Sequence, residues 1–140
     1  MPPGAVEVVE AAEVEALTPQ LLPCSVQYTG RARVSTYFKP EPLGADPAQL
    51  TARFRGRWLE GQKLRVPDGY TGSVLVDSNA ASIADGETRR WLRKAAFDEL
   101  VYYKHDEKPV DSDQLRKCMR FLDVASVLHA ELPPRADAVA

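Results

Sequence analysis

Cysteine and histidine are scarce in this 140-residue chain, and their scarcity excludes several chemistries. The two cysteines, Cys24 and Cys118, lie far apart, and His105 and His129 are the only histidines. No cysteine pair has metal-ligand spacing, so a zinc ribbon or finger is excluded. The same usage predicts a reducing compartment, cytosol or nucleus. No stretch approaches the roughly 20 apolar residues that span a bilayer. Residues 1–20 hold no Lys or Arg, which predicts no secretory signal there, because such a signal needs a basic start. There is no phosphate-binding P-loop and no dinucleotide fingerprint.

What is present suits one globular domain. Hydrophobic residues make up 44% and charged residues 27%, while eleven prolines and eight glycines favour short elements and many turns. The net charge of −2 is unevenly placed. Glu7, Glu10, Glu13 and Glu15 stand in the base-free start, so the remainder carries 18 bases against 16 acids. A net of +2 is not the footprint of a stand-alone nucleic-acid binder. The Ala/Val/Glu-rich start, residues 1–19, reads as a mobile acidic tail, or in a sharper reading as a short helix docking on a partner. Residues 134–140 read as a second mobile tail, since Pro133 and Pro134 stop what precedes them. Residues 20–133 then form a single β-rich domain ending in a helical segment.

The first half reads as strands. Leu22, Cys24, Val26 and Tyr28 alternate with polar neighbours, and Val34, Thr36 and Phe38 follow after Thr29-Gly30, so residues 22–38 predict a hairpin. Cys24 falls on its inward face. Prolines 40, 42 and 47 make a loop of KPEPLGADP. Leu50, Ala52 and Phe54 share an apolar face. Pro67-Asp68-Gly69 is a turn, and residues 73–76 (SVLV) read as a strand buried on both sides. Residues 77–88 are a polar loop. Residues 87–96 predict a short helix with Trp91, Leu92 and Ala95 inward, and residues 97–105 a strand. Leu115, Cys118, Met119, Leu122, Ala125, Leu128 and Leu132 follow helical spacing, with Asp113 as cap and Asp123 as the cap of a second helix if the segment breaks.

Parity selects a register for residues 50–66. A three-residue loop at residues 60–62 opposes Trp58 to Leu64 and keeps the apolar face intact. It also opposes Arg57 to Arg65, flanked by Arg55 and Lys63. Like charges so placed destabilise a sheet by about 0.2–1 kcal/mol. Solvent screening offsets this in the plain reading, and an acidic partner or phosphate in the functional one. Trp58 beside the basic run would stack a base, although a tryptophan on an apolar face is more often core.

No catalytic constellation emerges. His105-Asp106 is the dipeptide of metal phosphohydrolases without their further ligands, so no metal site is expected. The scattered aspartates match no two-metal nuclease pattern, and the Arg90–Lys94 run reads as a solvated helix face. SVLV needs cover on both faces, and one helix covers only one. The other must come from this chain's own sheet or from a second polypeptide, which points to an assembly subunit. The competing reading is a small-barrel nucleic-acid-binding module using Arg53, Arg55, Arg57, Lys63 and Arg65 on phosphate. A self-sufficient enzyme ranks last.

The run LLPCSVQYTGRARVSTYFKP, with its Leu-Pro-Cys strand and the aromatic pair Tyr37-Phe38 ahead of Pro40, resembles the non-catalytic C subunit of eukaryotic type 2 ribonuclease H. The resemblance continues through FRGRWLEGQKLRVPDGYTGSVLV and YYKHDEKPVDSDQL to the Ala-x-x-Leu-His-Ala helix at residues 125–130. Order and spacing over residues 20–133 carry it, rather than any one motif. It implies a mainly β fold with a C-terminal helix (α+β), its short strands interleaved with those of the B subunit in a shared triple barrel. It implies a scaffold in a nuclear ribonuclease H2 heterotrimer. The catalytic subunit, a separate chain that holds the magnesium, cuts RNA of RNA–DNA hybrids and single ribonucleotides embedded in DNA. This chain would carry no cofactor, no metal and no catalytic residue, and would meet nucleic acid only indirectly, through the complex. Arg55, Arg57, Trp58, Tyr103, His105 and Asp106 are the expected contacts to neighbouring chains. Where family members can have Trp-Pro, Phe121-Leu122 stands here, so the last helix is expected to begin near Asp113.

Overall fold

The computed structural model describes residues 6–78 and 88–133. Residues 1–5, most of the loop at 77–88 and the tail at 134–140 lie outside these, and so do the expectations placed on them. Two compact units divide the chain, Met1–Pro109 and Val110–Ala140. The architecture is mainly β, with two sheets in the first unit and a helix in the second.

The larger sheet has the order β2 (Gln20–Leu21), β8 (Glu99–His105), β5 (Arg57–Arg65), β4 (Gln49–Phe54), β3 (Glu41–Pro42). Its centre is a meander of β4, β5 and β8. Two-residue strands flank it: β2 runs parallel to β8 and β3 antiparallel to β4. The face read from Leu50, Ala52 and Phe54 is the one that packs. Leu50, Ala52, Leu59, Val101 and Tyr103 form the core, and Leu22, Phe38 and Phe54 pack against it.

The hairpin register differs from the expected one. β4 turns into β5 at Arg55-Gly56, not at residues 60–62. Both turn residues have positive φ, 49° and 78°, the signature of a two-residue type I′ turn, whose twist matches that of the flanking strands. Trp58 therefore opposes Arg53 rather than Leu64, and Arg57 opposes Phe54 rather than Arg65. Arg65 opposes Glu99 instead, so the expected clash of like charges does not arise.

The smaller sheet has the order β1-β7-β6, and two expectations are corrected in it. The acidic start is not a solvated tail over its described part: β1 (Val6–Ala16) pairs in parallel with β7. The expected helix at 87–96 is β7 (Arg89–Phe97), whose backbone pairs with β1 on one side and with β6 (Gly72–Asp77) on the other. Ladder bonds on both edges override a modest helical propensity. The SVLV segment lies in β6 but is not buried on both sides, since Leu75 is 38% and Val76 43% exposed.

Residues 22–38 form no hairpin. They hold only the short helix α1 (Val34–Tyr37), after which Phe38 turns into the core, edge-on to Phe54 and Tyr103. Cys24 and Cys118 are exposed rather than inward. The Pro67-Asp68-Gly69 turn is present, with Tyr70 N–H donating to the Pro67 carbonyl at 3.1 Å and Gly69 at φ 86°.

In the second unit, α2 (Gln114–Leu128) is continuous, with no break at Asp123. It starts where expected, with Asp113 at the N-cap position. The Asp113 carboxylate accepts from the Val110 N–H at 2.8 Å, so it ties the approaching chain rather than the first turn. Asp111 meets Arg116 and Arg120 from the same helix.

Candidate functional site: the hairpin end and the open edges

Five of the six expected contact residues gather at one end of the larger sheet. Arg55 occupies the first corner of the β4–β5 turn, its guanidinium 5.8 Å from the centre of the Phe54 ring. Arg57 begins β5 and is exposed. Trp58 is 57% exposed on the polar face, and the Arg53 guanidinium stands 4.8 Å from its ring centre. The expectation of a core tryptophan fails because the turn falls at Gly56, which puts Trp58 on the face of Thr51 and Glu60. On the neighbouring strand His105 opposes Leu59, one residue along from Trp58. Its Nε2 lies 3.3 Å from the Asp106 carboxylate.

Tyr103 is the exception. It is 3% exposed and belongs to the chain's own core. Its hydroxyl donates to Gln20 Oε1 at 2.7 Å, and burial pushes the phenol from 10.0 to about 12.

Sequence reasoning missed two features. The first is the cleft of about 240 Å³ beside the hairpin, where Tyr37 and Lys39 join Arg53 and Trp58. Its signal, aromatic and basic residues ahead of Pro40, was in plain view. The second is the pairing of the acidic start. Glu7 meets Arg90 at 3.1 Å and Glu10 meets Arg93 at 2.7 Å, so acids spaced by three face bases spaced by three along parallel strands. Among the described residues, Glu60 Oε2 and Arg93 Nε are buried without a hydrogen bond. Among the described residues no cluster of His, Cys, Asp and Glu is arranged to hold a metal ion.

Comparison with known proteins decides the lineage. A family model described as Ribonuclease H2 non-catalytic subunit (Ylr154p-like) matches residues 18–128. The chain belongs to this family. The C subunit of ribonuclease H2 from Mus musculus is 43% identical over 136 residues, covering 81% of each chain. Its counterpart from Bos taurus is 25% identical over 135 residues, with the same coverage. An uncharacterized protein of Schizosaccharomyces pombe is 28% identical over 105 residues, covering 69% of this chain and 71% of its own. By its family this chain is a non-catalytic subunit of ribonuclease H2, and its mouse relative is the C subunit. Among the described residues no helix is long and apolar enough to cross a membrane.

Proposed function

We propose that this chain acts as a scaffold whose sheets are completed by strands of the B subunit, in the shared triple barrel that the sequence resemblance implies. The smaller sheet carries this reading. Among the described residues of β1, β7 and β6, only Ala95 is buried. Val6, Val8, Val9, Leu75 and Val76 are all exposed. Full burial of one such side chain contributes about 1.5–3 kcal/mol. Three strands with one buried residue cannot hold their own stability, so a covering surface is needed.

The larger sheet supports the same reading. β2 pairs with β8 only at Val101 and Tyr102, and β3 with β4 only at Leu50 and Thr51. Edge strands this short leave room for a partner strand to extend the sheet. Along α2, Phe121, Val124, Val127 and Leu128 are exposed at helical spacing. In this role the chain anchors the catalytic subunit in the nucleus, and magnesium and bond cleavage belong to that partner. Arg57, His105 and Asp106, at the sheet end, serve as contacts to neighbouring chains.

The test is expression of the full chain alone and together with the catalytic and B subunits. The chain alone is expected to aggregate or to show rapid hydrogen exchange across β1, β6 and β7, and co-expression to protect all three. A compact monomer that melts cooperatively and ignores both partners would sink the proposal.

A further inference from the structure

The cations of the described residues differ in their partners. Arg90, Arg93, Lys104, Arg116 and Arg120 each face a carboxylate. Of the cations that face none among the described residues, Lys39 and Arg53 line the cleft beside the β4–β5 hairpin, and Arg55 and Arg57 flank its turn. Glu41 is the one carboxylate in the cleft lining. Unneutralised charge held at one place on a fold is an anion-binding feature rather than a structural one.

Two aromatic rings share this cleft and stay in solvent, Tyr37 at 80% and Trp58 at 57% exposure. The Arg53 guanidinium stands 4.8 Å from the centre of the Trp58 ring. Exposed rings interleaved with cations form a stacking platform for bases whose phosphates the cations hold. An acidic peptide would use the cations but not the rings, and Glu41 would repel it. A base instead offers an N–H, such as the N3–H of thymine, to Glu41 as a donor.

We propose that this chain binds single-stranded nucleic acid directly, in the cleft between Tyr37, Lys39, Arg53 and Trp58. Lys39, Arg53 and the neighbouring Arg55 hold successive phosphates, while bases stack on Trp58 and Tyr37. The cleft borders the β3 edge, so this inference rests on the partner strand proposed above leaving that face open. It assigns Arg55 and Trp58 to nucleic acid rather than to the interface with neighbouring chains expected of them.

The experiment uses the complex purified after co-expression of all three subunits. Binding of a fluorescein-labelled oligothymidine is followed by anisotropy across a salt series. Lys39→Gln combined with Arg53→Gln is expected to weaken binding and to lower the slope of log K against log salt by about 1.4, since each single-strand phosphate contact contributes about 0.7. Trp58→Ala is expected to weaken binding about tenfold and Trp58→Phe much less, because a phenyl ring still stacks. Arg90→Gln, a cation already facing Glu7, is the control expected to change nothing. A 4-thiothymidine oligonucleotide should also cross-link to the peptide bearing Trp58 in the unmutated complex. An unchanged salt slope, a cross-link confined to other subunits, or equal displacement by polyglutamate would each overturn the proposal. So would failure of the Trp58→Phe variant to assemble, which would return the surface to the interface.

Discussion

The ring of Tyr103 lies flat over the backbone of Gly61, its cross-strand partner, so closely that a Cβ on Gly61 would stand 2.5 Å from the ring. A glycine in mid-strand weakens pairing by itself. Here the aromatic ring covers the exposed ladder and seats Phe38, whose ring centre is 5.4 Å away. Gly61→Ala is therefore expected to destabilise the chain by about 1–3 kcal/mol, as overpacking does. Combining it with Tyr103→Leu should cost less than the two changes summed, because both act on one contact. Additive thermal shifts in the complex would show that the two residues do not meet.

Tyr103 also sets a limit at high pH. Its phenol ionises at about 12 in the fold, because burial disfavours the phenolate, against 10.0 when free. Above pH 10 the unfolded chain releases the proton first, so the folded chain then holds more protons and loses stability as pH rises. The loss is absent below pH 10 and complete near 12. Tyr103→Phe should flatten this part of the stability profile, while costing about 0.5–1.5 kcal/mol at neutral pH through the lost bond to Gln20. Parallel denaturant midpoints for both proteins from pH 9 to about 12 would reveal the difference.

Arg55 sits at φ 49°, a conformation in which glycine or asparagine rests with less strain. Arg55→Asn produces an Asn-Gly type I′ turn and is expected to raise stability by about 0.5–1 kcal/mol. Assembly of the complex should be unaffected and oligothymidine binding weaker. Gel filtration with a melting curve checks assembly and stability, and a lower melting temperature would contradict the turn assignment.

The two ion pairs of β1 should differ in weight. The Arg93 side chain is 23% exposed and that of Arg90 63%, so Glu10 meets the less hydrated cation, although Glu10 itself is the more exposed acid, 60% against 42%. Glu10→Gln is expected to loosen β1 more than Glu7→Gln, each effect falling within about 0.2–1 kcal/mol and shrinking with salt. Hydrogen exchange at β7 amides gives the readout, and equal effects would mean that both pairs are solvent-screened alike.

Much of the fold was legible in the residues. The apolar face of β4, the strand at Glu99–His105, the turn at Pro67-Asp68-Gly69 and the helix start at Asp113 each rest on signals within a few residues. So does the lack of a catalytic set, in keeping with a family described as non-catalytic. The misreadings concern pairing. Arg-Gly is a weaker turn signal than Asn-Gly, so parity places the hairpin five residues late and puts Trp58 on the wrong face. The candidate site was legible as a basic run, but its neighbours Tyr37 and Lys39 come from a separate segment.

The sequence by itself determined a mainly β chain with one terminal helix, because period, proline, glycine and capping act locally. Tertiary structure alone decided that the acidic start is a strand and that residues 89–97 are another. The bonds that make them so, such as Glu7 to Arg90, join positions 83 apart, and no local preference reaches that far.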